Sequence, residues 1–262
     1  MMKSFFSHLL LSLLTLSLII ACQGDVSDVP PKQDCHQVQH VMGETCIPNA
    51  PQRVVVLHDY LVLDAVIALG ITPIGAVGNH QGNHPFPPWL KEETETVASV
   101  GTAREPNLET VLKLQPDLII SLEGEGHAQI YEQLSQIAPT LIIPSERAIF
   151  PELKFLGKAL KREEKAQTLI AKYEQRLEEL RTATGRRLTT TEVSLVRFLP
   201  SGVRIEGNSY NVGKILKDAG FPRPPAQQIS RPIMVSLEQV EKIDGDVMFA
   251  NTIANPNLEA DA

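Results

Sequence analysis

The sequence predicts an α/β fold made of two lobes that are joined by one long helix. Short apolar runs alternate with helical patterns through the first half of the chain, which indicates a mostly parallel sheet. Residues 151–182 are then rich in Leu, Ala, Glu, Lys and Arg and contain no proline after Pro151. This segment predicts one or two helices, of which the longest begins at about Arg162. The strand and helix pattern restarts at Glu192, and 262 residues are enough for two lobes.

The first lobe is predicted from five short apolar segments and the helical patterns that separate them. The predicted strands are Arg53–Leu57, Pro73–Val77, Val97–Val100, Leu118–Ser121 and Leu141–Ile143. The predicted helices are Leu61–Leu69, Asn107–Lys113 and Gln129–Ile137. Residues 78–89 are rich in Gly, Asn, His and Pro, which indicates a long loop.

The second lobe is predicted from a shorter series of elements and from a sequence repeat that it shares with the first lobe. Its predicted elements are the strands Glu192–Phe198, Gly202–Glu206 and Val247–Ala250 and the helix Val212–Ala219. Residues 107–117 align with residues 236–246 at a constant offset of 129, and the capping residue, Leu, Glu, Val, Lys and Asp recur in place. We interpret this sequence repeat as an internal duplication. Two similar lobes would leave a cleft between them, and such clefts are favoured ligand sites.

The first 21 residues are predicted to be an export signal. Lys3 precedes an apolar stretch, Leu9–Ile20, that is too short for a comfortable membrane span. Ala21-Cys22 then resembles the end of a bacterial lipobox, so Cys22 is the predicted site of lipidation, with diacyl chains such as palmitate as the membrane anchor. The alternative is an ordinary signal peptide with an incidental cysteine.

The remaining cysteines, Cys35 and Cys46, form an even pair in an exported protein, which favours a disulfide. A metal site that also uses His36 and His40 is the alternative. Residues 22–50 are predicted to be a tether and an N-terminal extension.

Composition excludes several other classes of protein. The 24 Lys and Arg against 31 Asp and Glu give a formal net charge of −7, which argues against general nucleic-acid binding. We find no nucleophile elbow, no phosphate-binding Gly-x₄-Gly-Lys-Ser/Thr loop and no His-Glu-x₂-His motif in the sequence. The sequence therefore predicts that the protein is not an enzyme.

Several motifs together resemble one known family. They are His40-x₂-Gly43-Glu44-Thr45, Pro51–Leu57, Ala68-Leu69-Gly70-Ile71-x-Pro73-Ile74-Gly75, Arg104–Glu109, Leu114-x-Pro116–Ile120 and Ile137–Thr140. In this combination the chain resembles the solute-binding proteins of bacterial ABC importers for iron–siderophores. The resemblance implies two Rossmann-like lobes bridged by a rigid helix, and a monomer that needs no cofactor. It also implies capture of a ferric siderophore or similar iron chelate and delivery to a membrane permease and its ATPase.

The resemblance and the predicted strand ends together predict which side chains contact the ligand. An anionic chelate needs cationic donors and aromatic surface, and open α/β sheets bind ligands at the carboxyl ends of their strands. The predicted ligand-binding residues are Arg104, Arg197, Arg231, Tyr60, His58, Trp89 and His127. For Arg104 the alternative is a plain surface arginine, and for Trp89 it is a loop anchor packed on the lobe.

The resemblance assigns a second role to Glu109 and Glu238, which occupy equivalent places in the two repeats. In the family, matching glutamates pair with arginines of the permease, so both are predicted to dock the protein on its transporter. The alternative is that a glutamate at the start of a helix simply favours the helix dipole.

A bare-metal carrier for zinc, manganese or iron is the alternative function. His58, His80, His84 and His127 could converge, although Gly82 and Pro85 argue against the helix that His80 and His84 would need. The titration behaviour with metal salts and with ferric siderophores would separate the two functions.

The predicted organisation is a signal peptide over 1–21, an extension over 22–50, a first lobe over 51–150, helices over 151–184 and a second lobe over 185–262. Family members continue past Val247–Ala250 with further helices and strands, whereas this chain stops at Ala262. Either the second lobe is abbreviated or the sequence is a fragment. We expect a fragment whose second lobe is truncated at the C-terminus, and a chain of that kind could fail to bind ligand.

Overall fold

The computed structural model describes residues 34–58, 61–78, 85–145, 149–208 and 211–252. The predictions for the signal segment, for Cys22 and for Tyr60, His80 and His84 lie outside these ranges. The chain divides into two units, Met1–Cys35 and His36–Ala262, and the two larger sheets described below lie in the second. No described helix is both long and apolar enough to cross a membrane.

Three sheets hold the strands that the structure describes. The strands are β1 (Cys35–His40), β2 (Gly43–Pro48), β3 (Val54–Val56), β4 (Gly75–Ala76), β5 (Ala98–Ser99), β6 (Leu118–Leu122), β7 (Thr140–Ile143), β8 (Val193–Leu199), β9 (Gly202–Ile205), β10 (Ile233–Val235) and β11 (Val247–Thr252). They form a β1–β2 hairpin, a sheet of order β5-β4-β3-β6-β7 and a sheet of order β10-β9-β8-β11. The predicted division into two separate sheets is confirmed.

The helices alternate with the strands as predicted. They are α1 (Leu61–Ala68), α2 (Leu108–Lys113), α3 (Tyr131–Ile137), α4 (Ile149–Ala159), α5 (Glu163–Thr184), α6 (Arg187–Thr190) and α7 (Asn211–Ala219). Short 3₁₀ helices lie at Pro88–Leu90, His127–Ile130, Pro225–Gln227 and Leu237–Lys242.

The first lobe is built on a parallel sheet that is buried on both faces. All four strand pairs of this sheet run parallel. Val54, Val55 and Val56 of β3 are fully buried, as the continuous β-branched run predicts for a central strand. One face packs in a large core with α1, α4 and α5, and the other packs with α2 and α3. The fold therefore places the carboxyl ends of β3, β6 and β7 along one edge.

The second lobe has a mixed sheet rather than a repeat of the parallel one. β8 turns directly into antiparallel β9, and β10 pairs antiparallel with β9. β11 lies parallel to β8 on the other side. β10 is not predicted from the sequence, because a run of three residues after a proline gives almost no periodic signal.

The helix α5 lies between the lobes in sequence and contacts both. Its 22 residues span roughly 33 Å. Tyr173 packs edge-on against Phe150 of α4, with ring centroids 4.8 Å apart, and its hydroxyl donates to the Asp218 carboxylate of α7 at 2.8 Å. The same side chain is thereby held by elements of the first lobe and of the second, so α5 fixes the spacing of the two sheets.

The two copies of the sequence repeat, residues 107–117 and 236–246, have equivalent local structures. Asn107 caps α2 by accepting from the Thr110 amide at 2.9 Å, and Ser236 caps Leu237–Lys242 in a capping box with Gln239. The Asp117 carboxylate accepts from the Arg53 amide just before β3, at 2.9 Å. The carboxylate of Asp246 accepts from the Glu192 amide just before β8, at 2.8 Å. Each repeat therefore ends by fixing the start of the first strand of its own lobe.

The β1–β2 hairpin packs on the edge of the first sheet, a feature that the sequence analysis did not predict. Its Thr45 hydroxyl donates to the Thr140 carbonyl at 3.2 Å and contacts the Tyr131 hydroxyl at 3.1 Å. Cys35 and Cys46 are both disulfide-bonded. Part of the segment expected to be an extension is thus regular structure.

Candidate functional site

A cavity of about 420 Å³ lies between the two lobes. The first lobe contributes the carboxyl ends of its strands, and the second contributes one face of the β8–β9 hairpin and the residue before β10. The lining residues are Leu61, Leu122, Glu123, Gly124, Glu125, Ser145, Arg197, Arg204, Glu206 and Pro232. The position agrees with the expectation that ligands meet an open α/β sheet at the carboxyl ends of its strands.

Two arginines and one glutamate form the wall contributed by the second lobe. Arg197 on β8 is the direct cross-strand partner of Arg204 on β9, so both side chains leave the same face of the sheet. The Glu206 carboxylate lies 3.6 Å from the Arg197 Nε and 3.3 Å from the Arg204 Nε. Like charges directly opposite one another destabilise a sheet, and the carboxylate between them offsets that repulsion.

A third guanidinium supports this wall from inside the lobe. Arg223 is 3% exposed, and one Nη donates to the Asn208 side chain at 2.9 Å while the other donates to the Gln227 side-chain oxygen. Burial lowers the pKa of Arg223, and the charge of nearby Glu206 opposes that shift. The Gln227 amide also binds the Ser194 hydroxyl of β8 at 2.9 Å. The support is therefore rigidly connected to the strand that carries Arg197.

The first lobe contributes an acidic wall. Glu123 and Glu125 follow β6, and the Glu123 carboxylate accepts from the Ser145 amide at 3.2 Å. His58, directly after β3 and buried, places its Nε2 3.6 Å from a Glu125 oxygen. The two walls thus carry opposite charges, basic on the second lobe and acidic on the first.

His127 lies beneath the edge of the cavity and is not among its lining residues, and its contact with the ligand stays a prediction. The side chain is 2% exposed. Its Nε2 donates to the Ala103 carbonyl at 2.7 Å, so its Nδ1 accepts from the Ser121 hydroxyl at 2.5 Å. Burial lowers the pKa of His127, which favours the neutral ring. Both ring nitrogens therefore bind protein groups, and His127 links β6 to the loop that carries Arg104.

Of the other predicted ligand residues, some lie at the cavity and some lie away from it. Arg197 lines the cavity, and His58 reaches it through Glu125. Arg104 and Arg231 are exposed and do not line it, although Arg231 precedes the lining residue Pro232.

Trp89 lies at the surface of the first lobe, and its contact with the ligand stays a prediction. It is 63% exposed, and its side chain hydrogen-bonds the carboxylate of Asp64 on α1. This contact ties the 3₁₀ helix Pro88–Leu90 to the first lobe. Trp89 is not among the residues that line the cavity.

Sequence reasoning missed Arg204, Glu206, Glu123 and Glu125. One signal was available, because Arg204 and Glu206 are two residues apart in a predicted strand and such residues share a face. The pairing of Arg204 with Arg197 needed the register of the β8–β9 hairpin, which a short turn at Pro200-Ser201 sets and which the apolar pattern does not reveal.

The two predicted docking glutamates occupy matching positions. Glu109 lies in the first turn of α2, after β5, and its exposed carboxylate pairs with Lys113 at 2.7 Å. Glu238 is exposed in the first turn of Leu237–Lys242, after β10. Both therefore follow the carboxyl end of a strand in their own sheet, and permease docking stays a prediction.

The histidines next to the cysteines have protein partners. His36 Nδ1 is 3.0 Å from the Asn49 side-chain oxygen, and His40 Nε2 is 2.8 Å from the Thr45 hydroxyl. Within the described ranges, no three His, Cys, Asp or Glu side chains are grouped so that they could hold a metal ion.

A second cavity of similar volume lies within the second lobe, near Lys217, Phe221 and Arg223. All of its lining residues belong to that lobe, so it lacks the two opposed walls of the cavity described above.

Comparisons with known proteins agree with this architecture. The chain is 32% identical to the "Probable siderophore-binding lipoprotein YfiY" of Bacillus subtilis, over 98% of this chain and 82% of that protein. It is 34% identical to the Fe(3+)-citrate-binding protein YfmC of the same organism, over 83% of this chain and 68% of that protein. The crystal structure of Staphylococcus aureus SirA complexed with staphyloferrin B superposes with a TM-score of 0.71 at 29% identity, covering 85% of this chain and 77% of SirA.

The family comparison covers both lobes. Residues 55–259 match the periplasmic binding protein family, a span that begins within β3 and extends past β11. The chain therefore belongs to the periplasmic binding protein family.

Proposed function

We propose that this protein is the lipid-anchored solute-binding component of an ABC importer and that it carries a ferric siderophore or a related iron chelate. The observation that carries the proposal is the cavity between the lobes, in which Arg197 and Arg204 stand side by side. The same function is supported by relatives that are named for binding siderophores or ferric citrate. The sequence match covers most of the length of each.

The chemistry of the arginine pair suits the oxygen-rich surface of an iron chelate. Guanidinium groups donate in parallel to carboxylate and similar anionic oxygens, and such charge-assisted hydrogen bonds are about twice as strong as neutral ones. The side chains of Arg197 and Arg204 are 32% and 37% exposed, so they are partly shielded from water while they remain open to a ligand. The iron enters as cargo that its chelator already coordinates, and the protein need only recognise the outer surface of the complex.

The proposal includes a docking step on the permease and its ATPase. Glu109 and Glu238, one on each lobe, would meet basic groups of the two permease halves. Exposed ion pairs contribute only about 0–1 kcal/mol each, so the pair would orient the carrier more than bind it.

The proposal also places the protein in the cell envelope. Lipidation of Cys22 would anchor the chain to a membrane, and a disulfide between Cys35 and Cys46 would stabilise the hairpin in an oxidising compartment. A single chain carries both walls of the cavity, so a monomer suffices for binding.

Calorimetric titration of the purified protein tests the proposal. The panel contains ferric citrate, a ferric hydroxamate, a ferric catecholate, and Zn²⁺, Mn²⁺ and Fe³⁺ salts without chelator. We expect one chelate to bind far more tightly than any bare metal. Arg197→Ala and Arg204→Ala should each raise the Kd roughly 10- to 100-fold, because each removes a charge-assisted contact of about 1.5–3 kcal/mol.

The control variant is Arg176→Ala, since Arg176 is an exposed arginine on α5 that pairs only locally, with Glu179 at 3.0 Å. This variant should bind as the parent protein does. Tight binding of a bare metal ion with no preference for any chelate would replace the proposal with the metal-carrier alternative.

A further inference from the structure

The carboxylate of Glu206 lies between the two arginines of the cavity. Its side chain is 12% exposed, and its Oε1 atom lies within 3.6 Å of the Nε atoms of both cavity arginines. Among the described residues, neither that oxygen nor either Nε has a hydrogen bond, so the three buried atoms interact as ion pairs. A carboxylate in this position acts on two cations at once.

The geometry leaves the outer ends of the arginines for a ligand. Each Nε is buried, whereas about a third of each arginine side chain is exposed and lines the cavity. The structure records no acceptor for the Nη groups of Arg197 or Arg204 within the described part of the chain. Glu206 therefore pairs with the Nε atoms of both arginines, and their Nη groups are left for a ligand.

The charge of Glu206 also changes what the pair attracts. Glu206 offsets one of the two positive charges that Arg197 and Arg204 present to the cavity, and it also interacts with Arg223 behind the wall. In a partly buried site, where the effective dielectric constant is far below that of water, one charge several ångströms from a ligand alters its binding energy substantially. Screening by salt is weaker there than at an open surface.

We propose that Glu206 is a specificity-determining residue, which limits the positive charge of the cavity and so sets how anionic a chelate the protein prefers. The inference rests on the proposed function of this same cavity. Glu206 acts through the two arginines and through the field that it adds to the cavity, which it helps to line.

The test compares two probes of different charge on one set of variants. Ferric citrate serves as the anionic probe, and a ferric tris-hydroxamate complex without net charge serves as the neutral probe. For Glu206→Gln, we expect the preference for the anionic probe over the neutral one to rise about ten-fold, together with a steeper loss of affinity as salt is added. Glu206→Asp keeps the charge and should keep the parental ratio. A purely structural role would change both affinities alike and leave the ratio unchanged, which would overturn the inference.

A ligand-free measurement separates this inference from the proposed function. Phenylglyoxal modifies guanidinium groups that it can reach, so loss of the ion pairs that hold both Nε atoms should speed its reaction with Arg197 and Arg204 several-fold in Glu206→Gln. Peptide mass spectrometry measures these rates against exposed Arg104 in the same sample. Unchanged rates would refute the inference even if chelates bind, whereas failure of every chelate to bind the parent protein would refute the proposed function.

Discussion

Replacement of His127 by alanine distinguishes a buried structural histidine from a ligand contact. The parent side chain is 2% exposed and makes two hydrogen bonds, to the Ser121 hydroxyl and to the Ala103 carbonyl. His127→Ala would leave both groups without a protein partner and create a cavity the size of an imidazole ring. Buried polar groups without partners cost about 1–3 kcal/mol each, so the free energy of unfolding should fall by roughly 3–5 kcal/mol once the lost packing is included.

Urea denaturation measures that change, and chelate titration of the same sample measures the affinity. Ser121→Ala is the matched control, because it removes one of the two partners and should cost about 1–2 kcal/mol. A loss of stability below about 1 kcal/mol for His127→Ala, together with a ten-fold weaker affinity, would refute the structural role and support the predicted ligand contact.

Three further predictions concern pH, the strand starts and docking. Because burial lowers the pKa of His127 below its usual 6.5, the unfolded chain takes up the proton more readily, so the free energy of unfolding should fall as pH drops below about 6.5. His127→Gln should flatten that slope between pH 7.5 and 5.5 in denaturant titrations. Asp117→Ala and Asp246→Ala should each lower the free energy of unfolding by about 1–3 kcal/mol, because each carboxylate accepts from a backbone amide at a strand start; equal stability of parent and variants would contradict this. Glu109→Ala combined with Glu238→Ala should leave chelate affinity unchanged and slow cellular iron uptake several-fold, and normal uptake would remove the docking role.

The sequence predicts the elements of this fold well where one local signal decides them. The run Val54–Val56 specifies a buried strand, Asn107 specifies a helix start, and the charged segment from Glu163 specifies the long helix. These features depend on apolar periodicity, capping and composition, which neighbouring residues carry. The β1–β2 hairpin and β10 escaped prediction because they are stabilised by contacts with distant strands.

The candidate site is predicted less completely, for a related reason. The strand ends indicate the correct edge of the first sheet, but they do not indicate which way a side chain points. His127 follows β6 as expected and yet turns inward, because two buried hydrogen-bonding groups are available beneath it. Arg204 lies beside Arg197 only because of the register between β8 and β9. Its role therefore depends on cross-strand pairing with a residue seven positions earlier in the chain.

The two lobes are equivalent where they would meet a symmetric partner and different where they would meet the ligand. The repeated unit supplies a capped helix start with an exposed glutamate, followed by an aspartate that fixes the first strand. The arginine pair lies outside that unit, on the β8–β9 hairpin, whereas β3 of the first lobe crosses over through α1 to a parallel neighbour. The ligand chemistry thus belongs to the element in which the second lobe departs from the first. Substitutions in that hairpin should therefore change which chelate is bound without disturbing the paired surfaces that we propose for docking.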